Sequence, residues 1–296
     1  MSKNYSDDFT DILQELTQME IVELCKQYQV YKDELPYLYS FLNKCIKSKT
    51  LGLENYVKIY SPGQCWREDG TFVAYMPDNG QDIVLHSFDS TGKNLLHAIR
   101  NTKRFKFLQD PARDYTCFFA VHEQFYGPLC HYLFDVSKHE SPINELATLF
   151  CLRKEKVDTL QPIIPSDVYV RKLLPEDIQV IVKHWPFTYP AAELKLKSWL
   201  ELSTGYGVFL QTSNQLVSWV TSSCLGQLSA LQTLEGFKRK GYAALAIAAM
   251  AKELAQEGFD CCGTTQPGNT AAEKFFTKLG FSILGKAAYI AITNKY

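Results

Sequence analysis

The sequence predicts an α/β protein built as two domains, and three observations support this fold class. The chain has 296 residues, enough for two hydrophobic cores of ordinary size. Apolar patterns typical of strands and of helices alternate along it. Residues 154–167 are charged and then carry two prolines, which is typical of a connection between domains. We therefore expect an amino-terminal domain over residues 1–161 and a carboxyl-terminal domain over residues 162–296.

The first half begins with helical patterns and continues with strands. Apolar residues recur at helical spacing over residues 8–29, with a break near Gln18, and a second helix is expected after Pro36. The next β-rich runs are separated by turn sequences and predict a meander of antiparallel strands over 56–60, 71–75 and 82–86. The remaining pattern predicts a helix over 93–102, strands over 115–120 and 133–136, and an element over 145–153 that is either helix or strand.

The second half again places helices before most of its strands. Strands are expected over 168–173, 208–212, 216–222, 227–233, 261–265, 281–284 and 289–293, with an open turn from Gly205 to Gly207. Helices are expected from Pro175 onward and over 191–202, 242–257 and 270–279. Because both halves run from two helices into strands joined by a turn, a distant duplication is one interpretation of the sequence.

The charge balance limits the classes of partner. Lys and Arg number 31 against 32 Asp and Glu, so the net charge is -1 and a broad nucleic-acid-binding surface is not expected. No apolar run reaches the length of a membrane-spanning helix, and the opening residues resemble neither a signal peptide nor a transit peptide. We expect a cytoplasmic protein without nucleic-acid or membrane partners, with a mitochondrial location as the alternative.

The nine cysteines are scattered and form no C-x-x-C pair, and no His lies at metal-ligand spacing from them. Neighbours such as Cys261 and Cys262 on a strand would point to opposite faces. We therefore expect reduced, mostly buried thiols and no metal site.

A basic loop, residues 234–241, lies between the strand predicted over 227–233 and the helix predicted over 242–257. Lys238, Arg239 and Lys240 are consecutive cations, and Gly241 lets the backbone approach a ligand closely. The helix that follows would direct its first N–H groups to the same space, which favours an anion such as a pyrophosphate. Taken alone, the loop would also fit a solvated basic turn.

The residues around the basic loop resemble the GNAT superfamily of N-acyltransferases. The run Lys238-Arg-Lys-Gly-Tyr-Ala243 is similar to that family's Gln/Arg-x-x-Gly-x-Gly/Ala motif. Residues 170–177 look like its first strand and helix start, and Asn269, Ala272 and Leu279-Gly-Phe281 look like its late helix. The resemblance implies a carboxyl-terminal GNAT-like mixed sheet flanked by helices, and an amino-terminal α/β half of related, degenerate GNAT-like architecture.

Within the superfamily, the sequence resembles the glycine N-acyltransferase-like branch, as an insect-type member. Val217-Ser-Trp219, followed by Gln227 and by Thr233-Leu234, is similar to that branch's Val-Ser-Trp and Thr-Leu-Pro-Glu blocks. The likeness covers residues 165–296 well and residues 1–160 more weakly.

The resemblance also assigns an acyl-CoA site. The backbone of the 227–233 strand would pair with the pantetheine arm as an added strand, and the basic loop would bind the pyrophosphate. The implied coenzyme-binding residues are Leu231, Gln232, Thr233, Lys238, Arg239, Lys240, Gly241, Tyr242, Ala243, Asn269 and Phe276.

The catalytic positions depart from the family pattern. Gln227 stands where the glycine acyltransferases have a glutamate, their presumed general base, and an amide cannot accept that proton. Phe276 stands where the superfamily often has a general-acid tyrosine. Glu201, Glu235 and Tyr206 are the nearest substitutes by element position, and a chain of waters is an equal alternative.

The favoured function is transfer of an acyl group from acetyl-CoA or a longer acyl-CoA to an amine, such as glycine or another small acceptor. The alternative is a protein that binds or senses acyl-CoA without catalysis. A third hypothesis is a protein-modifying acetyltransferase, whose acceptor groove would be wide and acidic. A small-molecule enzyme would instead have a closed pocket walled by the amino-terminal domain.

Overall fold

The computed structural model describes residues 11–53, 56–76, 82–104, 116–136, 140–185 and 192–293. Along the chain, the helices and strands are β1 (Leu13–Glu15), α1 (Gln18–Val30), α2 (Pro36–Thr50), β2 (Lys58–Pro62), α3 (Cys65–Glu68), β3 (Phe72–Met76), β4 (Asp82–His86), α4 (Lys93–Asn101), β5 (Thr116–His122), α5 (Glu123–Cys130), β6 (Glu140–Leu152), β7 (Val168–Lys172), α6 (Ile178–His184), α7 (Ala192–Leu202), β8 (Gly205–Leu210), β9 (Leu216–Ser222), β10 (Gln227–Thr233), α8 (Tyr242–Gln256), β11 (Cys261–Thr265), α9 (Thr270–Lys278) and β12 (Ser282–Thr293).

The chain forms two compact units that are not contiguous in sequence. Unit 1 comprises residues 1–30, 48–147 and 286–296, and unit 2 comprises residues 31–47 and 148–285. These units differ from a division at residues 161 and 162, because most of α2 belongs to unit 2 and the end of β12 belongs to unit 1. Composition shows where the sequence is charged or rich in proline. It does not show that a helix or strand from one half of the sequence belongs to the unit formed by the other half.

Unit 1 contains a sheet in the order β1-β2-β3-β4-β5-β12. The pairs from β1 to β4 are antiparallel, which confirms the predicted meander, whereas β4 and β5 are parallel. That parallel ladder has two residue pairs, Asp82 with Cys117 and Ile83 with Phe118. Helix α1 begins at Gln18 because Thr17 and Glu20 form a capping box, in which Glu20 Oε2 accepts from Thr17 N at 2.8 Å.

Unit 2 contains a sheet in the order β6-β11-β10-β9-β8-β7, in which β10 and β11 are parallel and the other pairs antiparallel. Helix α8 packs on β8 and β9. It buries Leu245, Met250 and Leu254 together with the small residues Ala246 and Ala251, which let the helix approach the sheet closely. The mixed sheets with flanking helices confirm the predicted α/β fold class.

Several predicted elements differ from the structure. The first helix is shorter than 8–29, because residues 13–15 form β1, and residues 8–10 lie outside the described residues. Residues 133–136 are not a strand, since a π-helical turn over His131–Val136 continues from α5. Their alternating apolar residues resemble a strand pattern, but His131 keeps a right-handed helical backbone.

Other boundaries also move. Residues 145–153 fall mainly in strand β6, and the two strands predicted over 281–284 and 289–293 are one strand, β12. Gly205 and Gly207 lie in β8 and not in an open turn. A Cβ on Gly205 would come within 2.9 Å of Val220 O, so glycine there permits close strand packing. Within the described residues, every helix is too short or too polar to span a membrane.

Candidate coenzyme-binding site

Strand β10 carries a bulge. Between the pairs Ser229–Thr221 and Gln232–Trp219, β10 has two residues where β9 has one. Ala230, inside the bulge, has a φ of 48°, an uncommon backbone conformation for a residue other than glycine. Bulges bend a strand and interrupt its ladder, and they are over-represented beside active sites.

The opposite edge of β10 separates from β11 after two residue pairs. Gln227 pairs with Cys262 and Leu228 pairs with Gly263, and within the described ranges the parallel ladder stops there. From Ser229 onward, the backbone edge of β10 that faces β11 is therefore available to another extended chain. An extended ligand with amide groups could add to this edge as a strand does.

The basic loop leads from β10 into α8 through two left-handed backbone positions. Arg239 has a φ of 62°, and Gly241, the residue that caps α8, has a φ of 83° and a ψ of 1°. Apart from the adjoining backbone, no heavy atom of the described residues lies within 4 Å of the position that a Cβ on Gly241 would occupy. Glycine is therefore favoured at this position by its backbone conformation, not by lack of space.

The start of α8 exposes backbone donors. The N–H groups of Ala244 and Leu245 both donate to Gly241 O, at 3.0 and 3.3 Å. Those of Tyr242 and Ala243 have no acceptor in the described part of the chain, as expected for the first turn of a helix. The Tyr242 side chain is buried, and its hydroxyl donates to Asp167 Oδ2 at 3.1 Å. Tyr242 can therefore offer a ligand its N–H group but not its ring.

The three cations of the basic loop are exposed but not equally free. Lys238 Nζ lies 2.6 Å from Glu235 Oε2, and this contact lowers the pKa of the Glu235 carboxyl. Lys240 Nζ lies 5.2 Å from the centre of the Phe237 ring. Arg239 forms no ion pair with any described residue. Arg239 is thus the cation most available to an anion, and Lys238 is partly neutralised.

The predicted residues on β10 lie along the separated edge. Leu231, Gln232 and Thr233 are half-buried. Ser218 Oγ lies 3.0 Å from Gln232 O, to which it donates, and 2.8 Å from Thr233 Oγ1. These two contacts fix the end of β10 on β9, and the Leu231 side chain packs on the core of unit 2.

The two predicted residues near α9 have structural partners. Asn269 caps α9, since its Oδ1 accepts from Ala272 N at 3.1 Å. Phe276 is buried, and its ring stacks on Phe150 with 5.4 Å between centroids. A Cβ on Gly263 would lie 3.3 Å from the Phe276 ring. The ring therefore packs beside β11, just beyond the point where β10 separates from it.

Gln227, the position of the presumed base, is 2% exposed at the start of β10. Its backbone oxygen accepts from Ser223 N at 2.8 Å and closes the turn between β9 and β10. At this predicted position the structure thus has a buried, neutral amide side chain.

Two of the substitutes considered for the base have pKa shifts that disfavour that role. Tyr206 donates its hydroxyl to Glu253, and burial together with that carboxylate raises the pKa of the phenol. Glu235 is exposed and paired with Lys238, which lowers its pKa, the wrong direction for a base near neutral pH. Glu201 is exposed on α7 and lies outside the bulge and the basic loop.

A buried lysine beside this position was missed by the sequence analysis. Lys44, on α2, is 4% exposed, and its Nζ donates to Ser203 Oγ at 2.7 Å. The sequence does contain a sign that Lys44 is buried. It lies at helical spacing from Tyr37, Ser40 and Phe41, which are also buried. A lysine on such an apolar stripe is unusual, because buried ammonium groups are costly.

Unit 1 contains a counterpart of the β10-to-α8 segment. Strand β4 separates from β5 after two pairs, and Gly92, with a φ of 59°, caps α4. The surroundings of this glycine are closed. A Cβ on Gly92 would lie 2.7 Å from the Phe125 ring, and Gln124 Nε2 donates to Ser87 O at 3.3 Å. Asp89 Oδ1 accepts from Thr91 N at 2.9 Å and places a carboxylate in the turn.

The cysteines are free thiols, of which Cys65 and Cys130 are half-buried and the others buried. Among the described residues, no group of three or more His, Cys, Asp and Glu side chains is placed to hold a metal ion.

Two family models match parts of the sequence. Residues 205–290, from β8 into β12, match the family described as FR47-like protein, and residues 12–130 match a domain of unknown function, DUF5645. The first match includes the bulge, the basic loop and α8. No curated protein matches the sequence.

Solved structures share the fold over most of the chain. An X-ray structure of a Drosophila protein is 20% identical, covers 97% of this chain and 100% of its own, and has a TM-score of 0.84. A tandem GNAT protein from the clavulanic acid biosynthesis pathway, solved without AcCoA, is 12% identical, covers 96% of this chain and 98% of its own, and has a TM-score of 0.54.

The match to the tandem GNAT protein extends over both unit 1 and unit 2. The FR47-like match lies on the segment in which the bulge, the separated strands and the glycine-capped helix occur together. The comparisons therefore support a fold of two GNAT-like halves for this chain.

Proposed function

We propose that unit 2 binds an acyl-CoA and transfers its acyl group to an amine. The proposal rests on three features that follow one another along the chain. They are the bulge of β10, the separation of β10 from β11, and the left-handed glycine at the start of α8. Together they offer an edge for a pantetheine arm and, at its end, a site for a pyrophosphate. The GNAT fold and the name of the tandem relative, which mentions AcCoA, support the same coenzyme.

The pyrophosphate would lie against the basic loop and the first turn of α8. The N–H groups of Tyr242 and Ala243 would donate to its oxygens, with Gly241 allowing close approach. Arg239 and Lys240 would add charge, and Lys238 would contribute after release from Glu235. Asn269 would act by fixing the start of α9, and Phe276 by holding the wall beside β11.

The pantetheine arm would pair with β10 from Ser229 to Thr233. In this pose the thioester lies near the bulge, where a backbone N–H freed from the ladder can polarise its carbonyl. The amine attacks the carbonyl carbon, loses a proton, and the coenzyme leaves as a thiolate. The residues hold the two reactants in line, which contributes much of the rate.

The acceptor proposed is glycine or another small amine. This rests on the resemblance of Val217-Ser-Trp219, Gln227 and Thr233-Leu234 to the glycine N-acyltransferase-like branch. A cytoplasmic location is proposed on the composition of the chain.

The test is calorimetric titration with acetyl-, butyryl-, benzoyl- and long-chain acyl-CoA, followed by thiol release with the same donors and an amino-acid panel. We expect binding, and thiol release that depends on the amine. If none of these coenzymes binds, the coenzyme site is refuted.

A second candidate function is acyl-CoA binding without catalysis. Gln227 and Phe276 favour it, because neither position carries the proton-transfer group of the family pattern. Binding of acetyl-CoA with no amine-dependent thiol release would establish this alternative.

A further inference from the structure

Lys44 is held in an unusual environment within unit 2. It is 4% exposed, and its Nζ donates to Ser203 Oγ at 2.7 Å. An ammonium group has three N–H donors, and a buried one is normally paired with a carboxylate. No carboxylate of the described residues forms an ion pair with Lys44, since the neighbouring Glu257 lies 3.3 Å from Lys47 instead. The neutral amine is therefore favoured more at this position than in water.

Lys44 lies next to the strand that lacks a base. A Cβ on Gly226 would lie 3.1 Å from Lys44 Cε and 2.2 Å from Ser40 Oγ, so α2 packs directly on the turn before Gln227. Gly226 has a φ of 73°. Because glycine has no side chain, its backbone can lie directly against Ser40 and Lys44. The lysine stem thus touches the residue immediately before the position of the family's base.

Ser203 connects this buried lysine to a less buried region. It is half-buried between α7 and β8, whereas Lys44 is buried. The next residue, Thr204, accepts through its backbone oxygen from Ser222 N at 3.1 Å, which ties the start of β8 to the end of β9. The Ser203 hydroxyl therefore lies at the end of the sheet where β8 and β10 begin.

Burial lowers the pKa of Lys44 to about 8. Four titratable groups face it: Glu257, Cys224 and Cys45 oppose this shift, and the positive charge of Lys47 adds to it. With a pKa of about 8, roughly a tenth of the lysine is neutral at pH 7, enough to accept a proton.

We propose that Ser203 and Lys44 form a proton relay that removes the proton of the acceptor amine, in place of the carboxylate that β10 lacks. The inference rests on the proposed function. The amine nitrogen forms a C–N bond with the thioester carbonyl carbon and gives one proton to Ser203 Oγ, while the Ser203 proton passes to the neutral Lys44 amine. The C–S bond breaks, and the sulfur leaves with the bonding pair as a thiolate. Lys44 then returns its proton to water, and the thiolate takes one from water.

In this relay Ser203 touches the substrate and Lys44 acts through it. The pH profile of kcat/KM should accordingly contain a rising limb with an apparent pKa near 8, besides the limb that comes from the acceptor amine itself. A lysine with a purely structural role would not produce the first limb.

The experiment compares Lys44→Met, Lys44→Arg and Ser203→Ala with the native chain, using acetyl-CoA and glycine between pH 6 and 10. We expect Lys44→Met to lower kcat/KM on the order of 100-fold and to remove the limb near pH 8. Lys44→Arg should be equally slow because a guanidinium does not deprotonate. Ser203→Ala should be slow, and Ser203→Thr, which keeps a hydroxyl, should recover most of the rate.

The matched control is Lys197→Met, at an exposed position on α7 that is not among the charges acting on Lys44. It should stay within about twofold of the native rate, and calorimetric affinity for acetyl-CoA should be unchanged in every variant. Native turnover with an unchanged pH profile in Lys44→Met would overturn the relay and leave the proposed function standing. Binding of acetyl-CoA with no turnover by the native chain would overturn the relay together with catalysis.

Discussion

Helices α4 and α8 each follow a strand that separates from a parallel neighbour, and each is capped by a left-handed glycine. Around Gly241 the backbone opens to solvent, with three cations beside it. Around Gly92, Phe125 and Gln124 fill the corresponding space, and the nearby charge is the Asp89 carboxylate. The backbone geometry alone therefore does not make an anion site. The side chains around it decide whether the helix start is available and which charge it meets.

The strands that precede these two helices also differ, in the regularity of their antiparallel ladders. β4 pairs with β3 without interruption, whereas β10 has its bulge against β9. By ladder position, Asp82 in unit 1 corresponds to Gln227 in unit 2, since each forms the first parallel pair among the described residues. Unit 1 has a buried carboxylate at this ladder position and a closed helix start, whereas unit 2 has a buried amide and an open helix start. The proposed relay through Lys44 would supply unit 2 with the proton acceptor that Gln227 cannot provide.

The strongest test of the comparison is charge reversal in the basic loop. We expect Arg239→Glu combined with Lys240→Glu to raise the Kd for acetyl-CoA on the order of 100-fold, about 2.7 kcal/mol, because attraction of the pyrophosphate becomes repulsion. Added salt should weaken acetyl-CoA binding by the native chain and strengthen acetyl-CoA binding by the variant. Calorimetry measures both. The matched control, Lys252→Glu with Lys278→Glu, makes the same change of net charge on exposed positions and should have little effect.

The buried imidazole of His86 in unit 1 should make the stability of the chain sensitive to acid. His86 is buried, with Tyr28 Oη 2.7 Å from its Nδ1, and burial lowers its pKa to about 3. A folded-state pKa below the ordinary 6.5 means that the contribution is present above pH 6.5 and is lost as pH falls toward 3. We expect a loss of about 2 kcal/mol at pH 5.

Urea unfolding between pH 7 and pH 4 measures this loss. His86→Gln, which keeps a neutral amide beside the Tyr28 hydroxyl, should flatten the dependence, although His122, whose pKa burial also lowers, keeps part of it. His97→Gln on the exposed side of α4 is the control. If the free energy of unfolding of His86→Gln depends on pH as strongly as that of the native chain, the assignment of the acid sensitivity to His86 is wrong.

Alanine at the two capping glycines should separate stability from binding. Gly241→Ala should cost about 1 kcal/mol, from its left-handed φ alone, and should weaken acetyl-CoA binding. Gly92→Ala should cost about 2 kcal/mol, because its Cβ also meets Phe125, and should leave that binding unchanged. Thermal unfolding and calorimetry on both variants give the comparison. Equal effects on binding would show that the two helix starts do not differ in function.

The smallest effect is expected from Glu235→Gln. Removing this exposed carboxylate frees Lys238 and should tighten acetyl-CoA binding by about twofold, the scale of an exposed ion pair. Glu193→Gln breaks a comparable pair with Lys197 on α7 and serves as the control. Weaker binding in Glu235→Gln would mean that Glu235 positions the loop instead of competing with the phosphates.

The sequence predicted most elements of unit 2 and the position of the basic loop, because local signals determine them. Cationic residues, a glycine and an alanine-rich helix are contiguous and need no long-range information. The meander of unit 1 was equally visible from its turns. The predicted break near Gln18 coincides with the start of α1, but the segment before it was wrongly predicted as helix, because apolar spacing does not reveal the side-chain capping box.

Long-range features could not be predicted in the same way. The assignment of most of α2 to unit 2 depends on contacts between residues more than a hundred positions apart, as between Lys44 and Ser203. The bulge in β10 depends on its register with β9, which an apolar pattern does not specify. Asn269 and Phe276 were identified by motif, and only the structure shows that one caps a helix and the other packs in the core.

The placement of residues 286–293 in unit 1 has a consequence for synthesis of the chain. The ribosome releases residues 148–285 before this segment, so β5 must wait for its β12 partner until unit 2 has already emerged. During that interval β5, a strand with the sequence Thr-Cys-Phe-Phe-Ala-Val-His, has an unpaired edge. Such an edge can pair with other nascent chains. Completion of the first half therefore follows the emergence of unit 2, and holdase chaperones that cover β5 would favour the native product.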